Sequence, residues 1–435
     1  MSTTFPSLGR VVWFSSKVTD GAPLRDVCDL AAACSLIGGA QLLRPGTEGH
    51  CVEDATGHRF DYDCRSFDEI GAEHLRPIVD LVRGLARSGP VTLLPFFAYR
   101  ATTRIALTTP NVTLLGNPPE LEAMFNSKPW VLDQFHRIGV PAPRWHHFTR
   151  DAPPPDLPYP VVVSPPSGTG GQGMFLVHSR AELARLLADP QTPAFLSAAA
   201  YLESPLSLNV TGCVHADGGV STHPLSLQVI GAPACTTRRF GYCGNDFGRA
   251  AEVVDPPLAA RVESILGTVG RWMHGYGFRG AFGLDLMIHR GEVLVSELNP
   301  RFQGSSHLGA TLMREAGAED VYVQHIRAHL GLPTPPGPSL ADVTRRQGPL
   351  SQVFCYNGPP LPVPGDGDAE DAADGDADDV LEFIPRPGVS LDAHSLLFRY
   401  VTRRPVLDAG GRNLLPHVRE RVLRVRGNIG AEVCA

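Results

Sequence analysis

Residues 280–301 read GAFGLDLMIHRGEVLVSELNPR, and this stretch decides the fold. It alternates as two strands turning near Gly291. In the first strand Phe282, Leu284, Leu286 and Ile288 share one face, and Asp285 lies on the other with Gly283 and Met287. In the second, Val293, Val295 and Glu297 share a face, and Asn299 continues that parity. Folding at Gly291 predicts that Asp285 comes opposite Glu297 to within about one residue, with β-carbons ~5 Å apart. Two carboxylates that close repel unless a cation lies between them, and Mg²⁺ takes few carboxylates, an amide oxygen and waters. A blander reading stays open: Asp285 solvated, with Glu297 merely paired to Arg301. Arg301 adds a permanently charged fork suited to a phosphate or acyl-phosphate.

Upstream, residues 168–173 read Gly-Thr-Gly-Gly-Gln-Gly, after Val161-Val162-Val163-Ser164-Pro165-Pro166. The pattern matches a dinucleotide fingerprint, but that motif needs a helix immediately afterwards. Here Met174-Phe175-Leu176-Val177 follows and reads as a strand. The better reading is strand, glycine loop, strand: a flap whose backbone N–H groups can approach phosphate oxygens. A Gly-rich hairpin with no ligand is the alternative. No GxxxxGK loop and no kinase HRD or DFG motif is present.

Farther out, strands at residues 10–14, 91–94 and 112–115, with helices at 24–38 and 70–87, predict an open α/β domain over 1–118. A helical stretch at 119–138 breaks near Pro129. Another helix covers about 179–188, and antiparallel strands lie within 201–230. Asp255-Pro256-Pro257 starts a helix whose Leu258, Val262, Ile265, Val269 and Trp272 form a core stripe. A last helix falls at about 318–330. Domain bounds are set at 1–118, 119–200, 201–335 and 336–435, the last β-rich and interrupted by an acidic loop.

Composition excludes other classes. The 435 residues are 43% hydrophobic and 19% charged, a globular composition. Residues 365–379 carry eight of the acids, so the net charge of −7 leaves the rest of the chain at +1. That remainder has no basic excess calling for nucleic acid. Nine scattered Cys with no CxxC pair read as reduced thiols in a cytoplasmic protein. The N-terminus lacks the features of a signal peptide. No stretch approaches the ~18–20 apolar residues of a membrane span. Of 38 basic residues only Lys17 and Lys128 are Lys, and Lys128 alone lies near a motif.

The order of these features resembles the ATP-grasp superfamily, over roughly residues 110–330. A Lys-bearing helix is followed by Gly139-Val140-Pro141-Ala142-Pro143 and the strand and glycine loop. Tyr201-Leu202-Glu203, the acid-bearing strand and Glu297-Leu298-Asn299-Pro300-Arg301 come next. The resemblance implies an ATP-grasp fold of α/β and α+β parts, with an N-terminal open α/β domain and a small β-rich C-terminal domain. It implies ATP and Mg²⁺, or Mn²⁺ in its place. It assigns Lys128 to phosphate contact, Gly168, Thr169, Gly170, Gly171, Gln172 and Gly173 to the phosphate lid, and Ala200, Leu202 and Glu203 to the adenine hinge. It assigns Asp285, Glu297 and Asn299 to the metal and Arg301 to the transferred phosphate. Two departures stand out. Ser164 occupies the position where the family usually has a second Lys. Ala199 and Ala200 replace the hinge acid.

The class activates a carboxylate as an acyl-phosphate, which an amine then attacks. The form Glu297 to Gly304 is more similar to amino-acid and peptide ligases than to biotin-dependent carboxylases, where a Glu stands at the position of Ser305. The expected function is therefore ATP-dependent ligation of small carboxylate and amine substrates, with ADP and phosphate released; many such ligases serve secondary metabolism. A non-catalytic nucleotide-binding scaffold, or an ATP-grasp carboxylase or kinase, is the alternative. Arg238 and Arg239 are candidates to hold a substrate carboxylate, Ser305, Ser306 and His307 to line the acceptor pocket, and His307 to act as a base. A homodimer is common in the family.

Overall fold

The computed structural model describes residues 5–38, 43, 46–61, 66–168, 170–358 and 379–429. Of the acidic loop 365–379, only Asp379 falls among them. The first sheet is parallel and holds β1 (Arg10–Lys17), β2 (Asp29–Ile37), β3 (Glu48–Cys51), β5 (Val91–Pro95) and β6 (Val112–Leu114), while β4 (His58–Arg59) lies outside it. The order β3-β2-β1-β5-β6 reverses between β1 and β5, and the carboxyl ends of strands at such a reversal open a crevice. The helix expected at 24–38 is not there: a 3-10 segment, Val18–Asp26, leads into β2. Ala32, Ala33, Cys34, Leu36 and Ile37 are fully buried in this inner strand. A short apolar run covered on both faces has no alternation, so periodicity cannot separate it from a buried helix.

A second sheet, antiparallel, holds β7 (Trp145–Thr149), β8 (Val161–Ser164), β9 (Phe175–Val177) and β10 (Phe195–Ala200). The helical stretch expected at 119–138 is two helices, Pro119–Phe125 and Lys128–Arg137. The break falls at Asn126-Ser127, and Pro129 sits in the first turn of the second helix, where its missing N–H costs nothing.

The third sheet is antiparallel and carries the site. It holds β11 (Leu206–Val214), β12 (Val220–Ile230), β13 (Tyr242–Asp246), β14 (Gly280–His289), β15 (Glu292–Asn299), β16 (Ser351–Tyr356), β17 (Asp379–Glu382) and β19 (Leu396–Thr402), in the order β15-β14-β11-β12-β13-β16-β19-β17. β18 (Ser390–Leu391) crosses back to pair with β4. The C-terminal segment is β-rich, as expected, and its strands extend this sheet instead of forming their own. Helix Pro256–His274 packs on β11 and β12 through Leu258, Val262, Leu266, Val269 and Met273. Asp255 caps it by accepting the Leu258 N–H at 2.8 Å. Ile265 and Trp272 of the expected stripe are half-buried, and Trp272 meets Phe125 edge-on with centroids 5.1 Å apart. Helices Phe247–Val253, Ser306–Glu315 and Leu340–Arg346 had no clear signal in the sequence.

Asp246 joins the C-terminal segment to this sheet. It is fully buried, and its carboxylate accepts N–H groups of Arg249 (2.7 Å), Val406 (2.7 Å) and Leu407 (3.0 Å). Asp246→Ala leaves all three donors without their acceptor. At ~1–3 kcal/mol for a buried polar group stranded this way, the variant should lose about 3 kcal/mol or more. A thermal melt lowered by only a degree or so would show that the carboxylate contributes little.

Candidate active site

The predicted hairpin forms with its register intact. Asp285 is the direct cross-strand partner of Glu297, and Gly283 of Asn299. Register also places Asn209 of β11 opposite Asp285 and Ser226 of β12 opposite Asn209. Asn245 of β13 donates to Ser226 Oγ at 2.9 Å, and Gln352 of β16 stands opposite Asn245 and donates to it at 3.0 Å. A polar row therefore crosses six strands, from Glu297 to Gln352.

Asp285 is the centre of this row. One carboxylate oxygen accepts from Asn209 Nδ2 at 2.6 Å and Gln228 Nε2 at 3.0 Å, and the other from Asn299 Nδ2 at 3.3 Å. Burial, and then the neighbouring Glu297 charge, push its carboxyl up to about 6, against the pull of Asn209, Arg301 and Asn299. Lys128 Nζ lies 3.3 Å from Glu297 Oε1. This Lys begins helix Lys128–Arg137, and its own N–H bonds Pro166 O at the flap's base. One cation thus ties the helix, the flap and the acidic hairpin.

Among the described residues no cluster of three or more His, Cys, Asp or Glu side chains has metal-holding geometry. The donor set here is two carboxylates and an amide, which suits a hard divalent cation completed by water and phosphate oxygens. Burial, and after it the Glu297 charge, disfavour the ionised form of Asp285, and a cation bound there would reverse that preference. Asn299 offers its Nδ2 to Asp285 as placed; rotating the amide by half a turn presents Oδ1 instead.

Gln303 and Ser305 brace this row from behind. Gln303 accepts from Thr211 Oγ1 at 2.8 Å, and Ser305 donates to Asn209 Oδ1 at 3.1 Å. The absent side chain of Gly283 makes room for Gln303: a β-carbon there would meet its carboxamide at 1.9 Å, and Gln303 would have to move. Ser306 is buried and accepts the Gln303 N–H at 2.8 Å. Ser305 and Ser306 are thus occupied within the protein. His307 faces another cluster: its Nδ1 is 3.9 Å from Asp20, which also holds Lys17 (3.1 Å) and Arg399 (3.1 Å). Burial and the two cations drive the imidazole well below its usual range.

Lys17 is the residue that sequence reading set aside. It ends β1, buried, with its ammonium 5.8 Å from the Phe96 ring centroid. The Arg301 guanidinium lies 5.8 Å from the same ring. The cation after the metal motif therefore lies beside the segment that follows β5. Buried here too is Glu122, which accepts the Ala98 N–H at 2.8 Å. Desolvation raises its carboxyl to about 8, opposed by that N–H and by Arg301. Glu122 gave no motif signal, because its partners come from β5 and the hairpin, far along the chain.

The flap lies between β8 and β9, with Thr169 outside the described residues. Ser164, where a second Lys was missed, is buried and donates to Pro165 O at 3.0 Å. Ala200 ends β10, Leu202 is half-buried and Glu203 exposed, and the intervening Tyr201 N–H bonds Pro160 O. Arg238 pairs with Asp61 of the N-terminal domain at 3.0 Å, so its charge is matched within the protein; Arg239 is exposed. Gly171, at φ +74°, seats the flap on this loop: a β-carbon there would lie 2.1 Å from Phe240 O. Gly171→Ala should lift the flap from the loop. The expected result is cleavage near residues 165–174 at lower protease concentration, with the global melting temperature little changed. Unaltered cleavage would show that the flap is not seated through this contact.

Residues 125–305 match the family model of the ATP-grasp domain, so this part of the chain carries that domain. Over 180 residues the chain is 26% identical to the formate-dependent phosphoribosylglycinamide formyltransferase of Yersinia enterocolitica, covering 41% of this chain and 42% of that protein. Over 147 residues it is 25% identical to the arginine-specific carbamoyl phosphate synthase large chain of Geobacillus stearothermophilus, covering 34% and 13%. These matches thus span less than half of each curated relative. Similar solved structures extend over nearly the whole chain. The carboxyaminoimidazole ribonucleotide synthase of Aspergillus clavatus, solved with ATP, has a TM-score of 0.60 at 14% identity, covering 97% of this chain and 98% of that one. Biotin carboxylase of Campylobacter jejuni has a TM-score of 0.60 at 12% identity, covering 90% and 86%. At such identities the likeness is one of fold.

Proposed function

We propose that the protein is an ATP-dependent carboxylate–amine ligase, activating a small carboxylate, such as that of an amino acid or peptide, as an acyl-phosphate and joining it to an amine. The observation that carries this reading is the facing pair Asp285 and Glu297, with Lys128 on Glu297 and Arg301 over the Phe96 ring. Phosphoryl transfer needs positioning and charge neutralisation more than covalent help. Asp285, Glu297 and Asn299 would hold Mg²⁺, which when bound neutralises phosphate charge. Lys128 would then contact phosphate, and the flap of residues 168–173 would close over it and keep water from the intermediate. Arg301 would steady the phosphate in transit, and the backbone near Ala200, Leu202 and Glu203 would receive the adenine.

The structural relatives named for carboxylation make bicarbonate the competing acid. Against it, Ser305 occupies the position expected of a catalytic Glu, and its hydroxyl is committed to Asn209. Ser164 in place of a Lys leaves out one phosphate cation and favours modest nucleotide affinity.

A screen of amino-acid pairs with ATP and Mg²⁺ should release phosphate and ADP only when carboxylate and amine are both present, with the amide seen by mass spectrometry. Glu297→Ala should lower that rate by ~10²-fold or more, in line with loss of a group that holds transition-state charge. AMP in place of ADP would overturn the acyl-phosphate route, and turnover with bicarbonate and no amine would favour the carboxylase.

A further inference from the structure

We propose that Gln228 is a specificity-determining residue of the metal site. With Asn209 it occupies one oxygen of Asp285, leaves the other for a divalent cation, and so favours Mg²⁺ or Mn²⁺ over Ca²⁺. This rests on the metal role that the reading above gives to Asp285, Glu297 and Asn299, and names what selects the ion.

The two oxygens of Asp285 are engaged from opposite sides. Its strand β14 lies between β11 and β15. On the β11 side, Oδ1 accepts from Asn209 Nδ2 at 2.6 Å and, one strand farther, from Gln228 Nε2 of β12 at 3.0 Å. On the β15 side, Oδ2 accepts only a longer hydrogen bond, from Asn299 Nδ2 at 3.3 Å, among the bonds found in the described residues. Glu297, the cross-strand partner of Asp285, belongs to that same strand. A cation between the two carboxylates would therefore meet Oδ2, while Oδ1 is committed twice on the far side.

Both amides on Oδ1 are fixed in orientation. An ionised carboxylate only accepts, so Gln228 must present its NH₂. Asn209 is 5% exposed, and its carbonyl oxygen accepts from Ser305 at 3.1 Å. Turning that amide round would set its oxygen against a carboxylate oxygen. The β15 side is also the open one: the Glu297 side chain is 29% exposed and that of Lys128 beside it 20%. An ion can thus arrive where Oδ2, Glu297 and Asn299 are, and not where Oδ1 is held.

A carboxylate that offers one oxygen discriminates between ions. Ca²⁺ gathers ~6–8 oxygens and readily takes both from one carboxylate, whereas Mg²⁺ asks for near-ideal octahedral geometry and keeps several waters. Mn²⁺ shares the octahedral oxygen preference. With Oδ1 withdrawn, Asp285 is a sufficient ligand for Mg²⁺ and a poor one for Ca²⁺. Hydrogen bonds behind a ligand change metal affinity by ~10–100-fold, so their removal is measurable.

The test reads metal binding, not turnover. The full chain is titrated with Mn²⁺ in the absence of nucleotide, following loss of the free-ion EPR signal, and Mg²⁺ or Ca²⁺ is then added to displace the ion. Wild type should bind Mn²⁺ at a site that Glu297→Ala removes, and should release it to Mg²⁺ at lower concentration than to Ca²⁺. Gln228→Met keeps the reach of the half-buried side chain and removes its donors. The ratio of Ca²⁺ to Mg²⁺ needed for displacement should fall ~10-fold in this variant. Gln228→Asn withdraws the amide by one methylene, should move the ratio the same way, and decides the matter if a thermal melt shows Gln228→Met unfolded. Easier displacement by Ca²⁺ than by Mg²⁺ in wild type overturns the proposal. So does an unchanged ratio in the variants, even where all three ions bind more weakly, and in either case the metal assignment stands. No Mn²⁺ site in wild type that Glu297→Ala removes overturns that assignment itself.

Discussion

Asp285 and Glu297 face each other across adjacent strands of an otherwise apolar hairpin, and the site is arranged around keeping two like charges there. Three amide groups converge on Asp285, and Lys128 reaches over from a helix of another sheet to Glu297. Each support demands another: Asn209 is held by Ser305, Gln303 by Thr211, and Gly283 leaves space for Gln303. A hydrophobic pair at these positions would pack without that apparatus. The molecule instead holds a region of unmet negative potential where a cation and its phosphates can be received.

The other side of Arg301 has different electrostatics. Lys17, Arg399, Asp20 and Glu382 make a buried group of matched charges, and Arg399 gives hydrogen bonds to both acids. The cluster joins strands from the first and third sheets, so it acts as a strut. His307, locked neutral against it, is part of that strut. Its place next to the metal motif in sequence says little, because helix Ser306–Glu315 turns it toward the N-terminal domain.

The hairpin could be read because its information is local: alternation sets the faces, and one turn sets the register. The sequence could equally have exposed the polar row, since Asn209 and Thr211 alternate with Leu208, Val210 and Gly212 along β11, as Ser226 and Gln228 do along β12. What could not be read depended on distant segments. β2 looked helical because burial on both faces erased its pattern. Lys17 and Glu122 acquire their surroundings only when β1, β5 and the hairpin meet. Arg238 reads as a candidate for a substrate carboxylate until the fold brings Asp61 to its side as counter-charge.

The continuity of the third sheet has a consequence for synthesis on the ribosome. When residue 335 has emerged, β11 through β15 are complete, but β13 is still an edge whose Gly244, Asn245 and Asp246 await β16. An open edge strand is a template for unwanted pairing. Asp246 also lacks the N–H groups of Val406 and Leu407 until about seventy further residues have been added. The nascent chain must therefore carry a nearly finished site beside an unsealed edge, and the last quarter of the protein arrives as its closure.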